Sequence, residues 1–180
     1  MRKDIAMTTR VLINVALFGL AALASSAASA HVTLEQREAS IGAPYKAKFR
    51  VPHGCGNSPT VKVRVRIPDG VVDVKPMPKA GWQIDTVNTK YDKPYKMLQT
   101  TVTEGIREVT WSRLSDKNYD EFVVSLYLTD DLVPGRMLYF PVVQECEKGV
   151  HRWIEIPKDG KSADLPEPAP GLKLMPAKRH

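Results

Sequence analysis

The chain has 180 residues, 26 Lys and Arg against 20 Asp and Glu, a formal net charge of +6, and 43% hydrophobic residues. Such a length and composition suit one globular domain with its own core. The basic residues are spread along the sequence rather than gathered into one footprint, which argues against nucleic-acid binding.

In chain order, Arg2, Lys3 and Arg10 lead into an apolar run from Val11 to Leu23, broken only by Asn14 and Gly19. Small residues follow from Ser25 and end in Ala28-Ser29-Ala30. This is the order of a secretory signal peptide: basic, apolar, then a small-residue cleavage site. The run is too short for a good membrane anchor. Residues 1–30 are therefore expected to be a cleaved leader, which sends the rest to the periplasm or beyond, with no stable membrane anchor after cleavage. The leader takes three of the basic residues and one of the acidic, leaving a net charge of about +4.

Cleavage after Ala30 would make His31 the first residue, with a free α-amine and an imidazole on one residue. The two groups ordinarily titrate near pH ~8 and ~6.5, so both become neutral donors at modest cost. Together they can close a chelate ring, and nitrogen-rich tetragonal coordination favours Cu(II) over the other divalent first-row metals. The plain alternative is that His31 is only where the peptidase cuts.

Beyond His31 nearly every segment reads as strand. Tyr45 to Val51 alternates Tyr45, Ala47, Phe49 and Val51 with Lys46, Lys48 and Arg50, and Val61 to Ile67 alternates apolar and basic without a fault. Such alternation marks half-buried strands, whose Lys62, Arg64 and Arg66 form a solvated outer face. Shorter candidates are Val71 to Val74, Trp82 to Val87, Met97 to Thr103 and Glu108 to Trp111. Phe122 to Leu128, Met137 to Val143 and Val150 to Ile156 complete the set. Turn signals separate them at Pro68-Asp69-Gly70, Pro78 to Gly81 and Pro134-Gly135. No stretch keeps helical periodicity for three turns, and no internal repeat is visible. The pattern predicts an all-β antiparallel sandwich over residues 31–156. Residues 157–180, with Pro166, Pro168, Pro170 and Pro176, read as an extended Pro-rich tail over the surface or loose in solvent.

Cys55 and Cys146 are the two cysteines. In an oxidising compartment an even pair reads first as a disulfide, here closing a long loop; copper thiolates, or one blue-copper cysteine, are the other reading. The latter needs a neighbouring Cys-His-Met set, and although His151 follows Cys146 closely, Met175 is far away. His53 lies in Arg50-Val51-Pro52-His53-Gly54-Cys55-Gly56, so a Cys55–Cys146 staple would bring it near Gln144-Glu145-Cys146 and His151-Arg152-Trp153. Taken singly, His53 reads as a loop histidine, His151 as an exposed strand residue and Trp153 as core.

His31-Val32-Thr33-Leu34, Arg50-Val51-Pro52, Gly81-Trp82, Tyr119-Asp120-Glu121-Phe122, Pro141-Val142-Val143-Gln144 and Gly149-Val150-His151-Arg152-Trp153-Ile154 together resemble the YcnI-like family of secreted copper-binding proteins. The resemblance spans nearly the whole exported part. It implies an immunoglobulin-like β-sandwich and a Cu(II) site on the N-terminal histidine, a mono-histidine brace completed by a carboxylate with a tryptophan close by. By position His31 is the bracing residue and Trp153 the tryptophan. After Arg50-Val51-Pro52, however, this chain offers His53-Gly54-Cys55 and no acid. His53 is then the expected further ligand, with Glu145 or Glu35 as a fallback carboxylate and His151 as a neighbour or fallback ligand. The family's membrane-anchored members end in an apolar helix, where this chain has its Pro-rich tail.

Three classes of function follow. The first is a copper-binding protein of homeostasis or trafficking, passing Cu to a partner protein by ligand exchange. The second is a histidine-brace copper oxidase or monooxygenase, disfavoured because no flat aromatic platform is visible. The third is a metal-free interaction domain. The expected reading is the first, a carrier rather than an enzyme.

Overall fold

The computed structural model describes residues 31–113, 120–158 and 165–178. The leader expected at 1–30 lies outside the described residues. Twelve strands are named: β1 (Thr33–Leu34), β2 (Glu38–Ser40), β3 (Ala43–Val51), β4 (Thr60–Arg66), β5 (Val71–Pro76), β6 (Gln83–Met97), β7 (Thr100–Ser112), β8 (Asp120–Leu128), β9 (Met137–Tyr139), β10 (Val142–Cys146), β11 (Val150–Trp153) and β12 (Gly171–Met175). Among the described residues there is no α-helix.

Alternation dictates the layers. Tyr45, Ala47, Phe49 and Val51 of β3 are buried while Lys46, Lys48 and Arg50 point away, and Val63 and Val65 of β4 are buried between Lys62, Arg64 and Arg66. Sheets with one such apolar face bury it against each other. One sheet runs β1-β3-β8-β5 and the other β11-β10-β4-β7-β6, all pairs antiparallel. Their inner faces share one core, in which Trp111 of β7 meets Phe122 of β8 with ring centroids 5.4 Å apart.

A third, small sheet runs β2-β12-β9. Residues 171–175 thus differ from a tail over the surface: β12 pairs parallel to β2 and antiparallel to β9. Leu172 and Leu174 are buried in the main core, and the domain extends past Ile156 to Met175. The cause is a five-residue apolar–polar alternation, Gly171-Leu172-Lys173-Leu174-Met175, placed behind the prolines. Those prolines suit the extended approach, and Pro168 bridges to Glu155 beside β11.

The second difference is the β6–β7 hairpin. The apolar pattern predicts a break between Val87 and Met97, yet β6 runs 15 residues and turns back across Leu98 and Gln99. Residues 88–94 carry little apolar signal because this part of the arm lies beyond the main core. It is held by pairing with β7 and by a separate cluster of Val72, Tyr95 and Tyr127 with Tyr91, Met97 and Val102. Pro94 falls where the register shifts between Lys90 and Tyr95, so its missing N–H interrupts no regular ladder.

Candidate metal centre

The first described residue, His31, precedes β1, whose register sets Thr33 opposite Arg50 and Leu34 opposite Phe49. Continued by two residues, that register brings His31 alongside Pro52, next to His53. The loop after β3 then closes tightly. Cys55 and Ser58 exchange backbone hydrogen bonds, and a Cβ on Gly54 would collide with the Ser58 carbonyl, so only glycine fits there.

A disulfide joins Cys55 to Cys146, with Cα atoms 6.0 Å apart. It is reinforced by hydrogen bonds from Glu147 N to Pro59 O (3.1 Å) and from Lys148 N to Ser58 Oγ (2.7 Å). The staple thereby ties the His53 loop to the turn between β10 and β11. With both cysteines in the disulfide, no thiolate remains for copper.

Strand β11 presents His151 and Trp153 on one face and Val150 and Arg152 on the other, since successive residues alternate sides. Trp153 is buried, and it is the meeting point of the site. The His31 ring lies 5.5 Å from its ring centroid at 53°, and the His151 ring stacks on it at 4.9 Å and 30°. Its indole N–H donates to Gln144 Oε1 at 3.0 Å. Gln144, opposite His151 in the β10–β11 register, donates through Nε2 to the His53 carbonyl (2.6 Å) and to Thr60 Oγ1 (2.8 Å). Hydrogen bonds therefore join Trp153, Gln144 and the His53 main chain, and the His31 ring rests against Trp153.

Tautomers follow from the partners. His53 is exposed, with Nδ1 2.5 Å from its neighbour's Gly54 carbonyl oxygen. A carbonyl only accepts, so Nδ1 donates, and in the neutral ring Nε2 has the lone pair a metal needs. His151 Nδ1 lies 2.7 Å from Glu167 Oε1, while Glu167 Oε2 accepts the Arg152 N–H at 2.9 Å. Burial raises the Glu167 carboxyl, but the hydrogen bonds from His151 and from the Arg152 backbone outweigh it and hold the group below its ordinary value.

The fallback carboxylates are directed elsewhere. Glu145 alternates with Gln144 and so faces outward, where its oxygens meet Lys62 Nζ (3.1 Å) and Arg64 Nη2 (3.0 Å). Glu35 pairs with Lys48 Nζ at 2.7 Å. Among the described residues no three His, Cys, Asp or Glu side chains converge into a cage. A metal here would depend on main-chain nitrogen as well as rings, which is what a brace supplies.

Two residues escape a reading of the sequence for ligands. Gln144 has a detectable signal, a polar residue on the inward parity of Val142 and Cys146. Glu167 has none, because it sits among prolines and reaches β11 only through the tertiary fold.

Comparison with solved structures finds an uncharacterized protein from Nocardia farcinica, described as having an immunoglobulin-like fold. It matches with a TM-score of 0.61 and 25% identity over 82% of this chain and 99% of that one. The sandwich described above is thus immunoglobulin-like. Comparison with curated proteins found no match. The family described as "Domain of unknown function (DUF1775)" matches residues 31–174, from His31 to the penultimate residue of β12. This chain belongs to that family.

Proposed function

We propose that this protein is an exported Cu(II)-binding protein of copper homeostasis or trafficking. His31 holds the metal through its amine and imidazole, and His53 Nε2 is the further ligand. Copper is its cargo, handed to a partner protein by ligand exchange. The observation that carries this reading is the convergence of the His31 ring on buried Trp153, 5.5 Å away, at the end of the sandwich where the β1–β3 register also leads to His53. The resemblance to YcnI-like proteins supports it. So does the donor chemistry, since the Gly54 contact engages His53 Nδ1 and turns Nε2 to the metal side in the neutral tautomer.

Trp153 packs against the bracing ring and limits access to that side of the metal. His53, the further ligand, lies in an exposed loop, which suits exchange of a cargo metal. The test is Cu(II) titration followed by EPR, on protein that begins at His31 and on protein with one extra residue before it. Tight, nitrogen-rich binding should collapse with the extension, and one nitrogen should be lost from the superhyperfine pattern in His53→Ala. Binding indifferent to the extension would exclude the amine and with it the brace.

A further inference from the structure

Gln144 is 1% exposed on an inward position of β10, where its same-face neighbours Val142 and Cys146 are both buried. A polar group so placed costs stability unless fully bonded. Here both amide hydrogens and the carbonyl oxygen are used. The partners admit one orientation of the amide. An indole N–H can only donate, so it faces Oε1, and the His53 carbonyl can only accept, so it faces Nε2. These two partners belong to the two halves of the candidate centre: Trp153 carries the His31 ring, and the His53 main chain carries the second imidazole.

We infer that Gln144 is a positioning residue that sets the separation of His31 and His53 by holding Trp153 and the His53 main chain on one amide. The inference rests on the copper reading for its consequence and on the hydrogen bonds for its mechanism. Gln144 does not touch the metal. Because His53 Nδ1 is bonded to the Gly54 carbonyl, moving the main chain at 53–54 moves the ring with it. No other side chain of similar size does the same work. Met fills the space and bonds neither partner. Glu retains an acceptor for the indole but, when ionised, turns a second acceptor toward the His53 carbonyl. Asn is one methylene too short to reach both.

The experiment uses Gln144→Met and Gln144→Glu in protein beginning at His31. Disulfide closure and the β-type circular dichroism spectrum check the fold, which the Cys55–Cys146 staple helps to maintain. In the metal-free proteins, the Trp153 indole N–H resonance should move in Q144M and stay near its wild-type position in Q144E. Amide hydrogen exchange at residues 53–56 should rise in both. With Cu(II), both variants should lose one nitrogen from the EPR pattern, and affinity measured by chelator competition should fall about 10- to 100-fold, as for other residues that orient metal ligands. Wild-type exchange, nitrogen count and affinity in either folded variant would overturn the inference. A wild-type protein without nitrogen-bound Cu(II) would instead overturn the copper reading, and the metal-free spectra would still decide whether Gln144 joins the two halves.

Discussion

The β10–β11 end and the far arm of the β6–β7 hairpin solve the same packing problem in opposite ways. Each buries aromatic rings beside polar atoms. At the first, the Trp153 indole is bonded to Gln144, Gln144 to Thr60 and His53, and the turn beyond is stapled by a disulfide. At the second, Tyr91 meets Tyr95 edge-on at 5.3 Å and lies beneath Arg107, but its buried hydroxyl has no hydrogen-bond partner. Room for that hydroxyl comes from Gly105, where a Cβ would collide with it. Directional bonds specify distances between particular atoms, whereas packing specifies only that space is filled. A ligand site needs the first, and an arm that merely covers a sheet can rely on the second.

The largest expected effect breaks the stapled end alone. The disulfide spans a sequence separation of 91 residues. Replacing Cys55 and Cys146 together by Ser should cost about 4–5 kcal/mol in the chain-entropy account, read by urea denaturation. Hydrogen exchange should rise more at residues 53–58 than at Tyr95 and Tyr127. Exchange through global unfolding rises at both ends by that common cost, so the absence of an additional local rise at residues 53–58 would show that the staple does not hold that loop.

An intermediate effect probes the hairpin arm. Gly105→Ala should destabilise by about 1–3 kcal/mol, the usual range for overpacking. Tyr91→Phe alone should change stability by less than about 0.5 kcal/mol, because it removes a hydroxyl that bonds nothing. Combined with Gly105→Ala, it should restore most of the loss. A costly Tyr91→Phe would show that the hydroxyl has a partner and that this end, too, is bonded.

The smallest effect concerns Glu167: burial raises its carboxyl, and the hydrogen bonds from His151 and the Arg152 N–H together lower it below its ordinary value. A depressed carboxyl contributes stability above its unfolded value, near pH ~4.3, and loses it as pH falls through the folded value. The stability gap between wild type and Glu167→Gln should therefore be present above that range and close in stronger acid. The gap should be small, since both partners are part-exposed. A gap that widened in acid would reverse the assignment of which form the contacts favour.

Much of the fold was legible before any coordinates. The alternation in β3 and β4 names their buried faces, and with only two cysteines the disulfide has a single pairing. The polar stretch of β6 and the five residues of β12 were not legible as such. The first lacks the apolar period that marks a strand, because its partners are β7 and an outlying cluster. The second is shorter than most periodic windows and follows a run of prolines. In the candidate centre, His31, His53, His151 and Trp153 are visible as residue types with metal chemistry, while the roles of Gln144 and Glu167 are not, since neither residue type is diagnostic of a site.

The amino-acid sequence by itself determined the strand faces, the all-β class and the small set of side chains with metal-ligating chemistry. These depend on side-chain chemistry and on a two-residue period, both of which are local. Only the tertiary structure decided that Glu145 turns outward to Lys62 and Arg64, that Glu167 crosses to His151, and that one amide links Trp153 to His53. Those contacts join residues up to 91 positions apart. Their distances are set by the register and stacking of strands around a shared core, which no local pattern encodes.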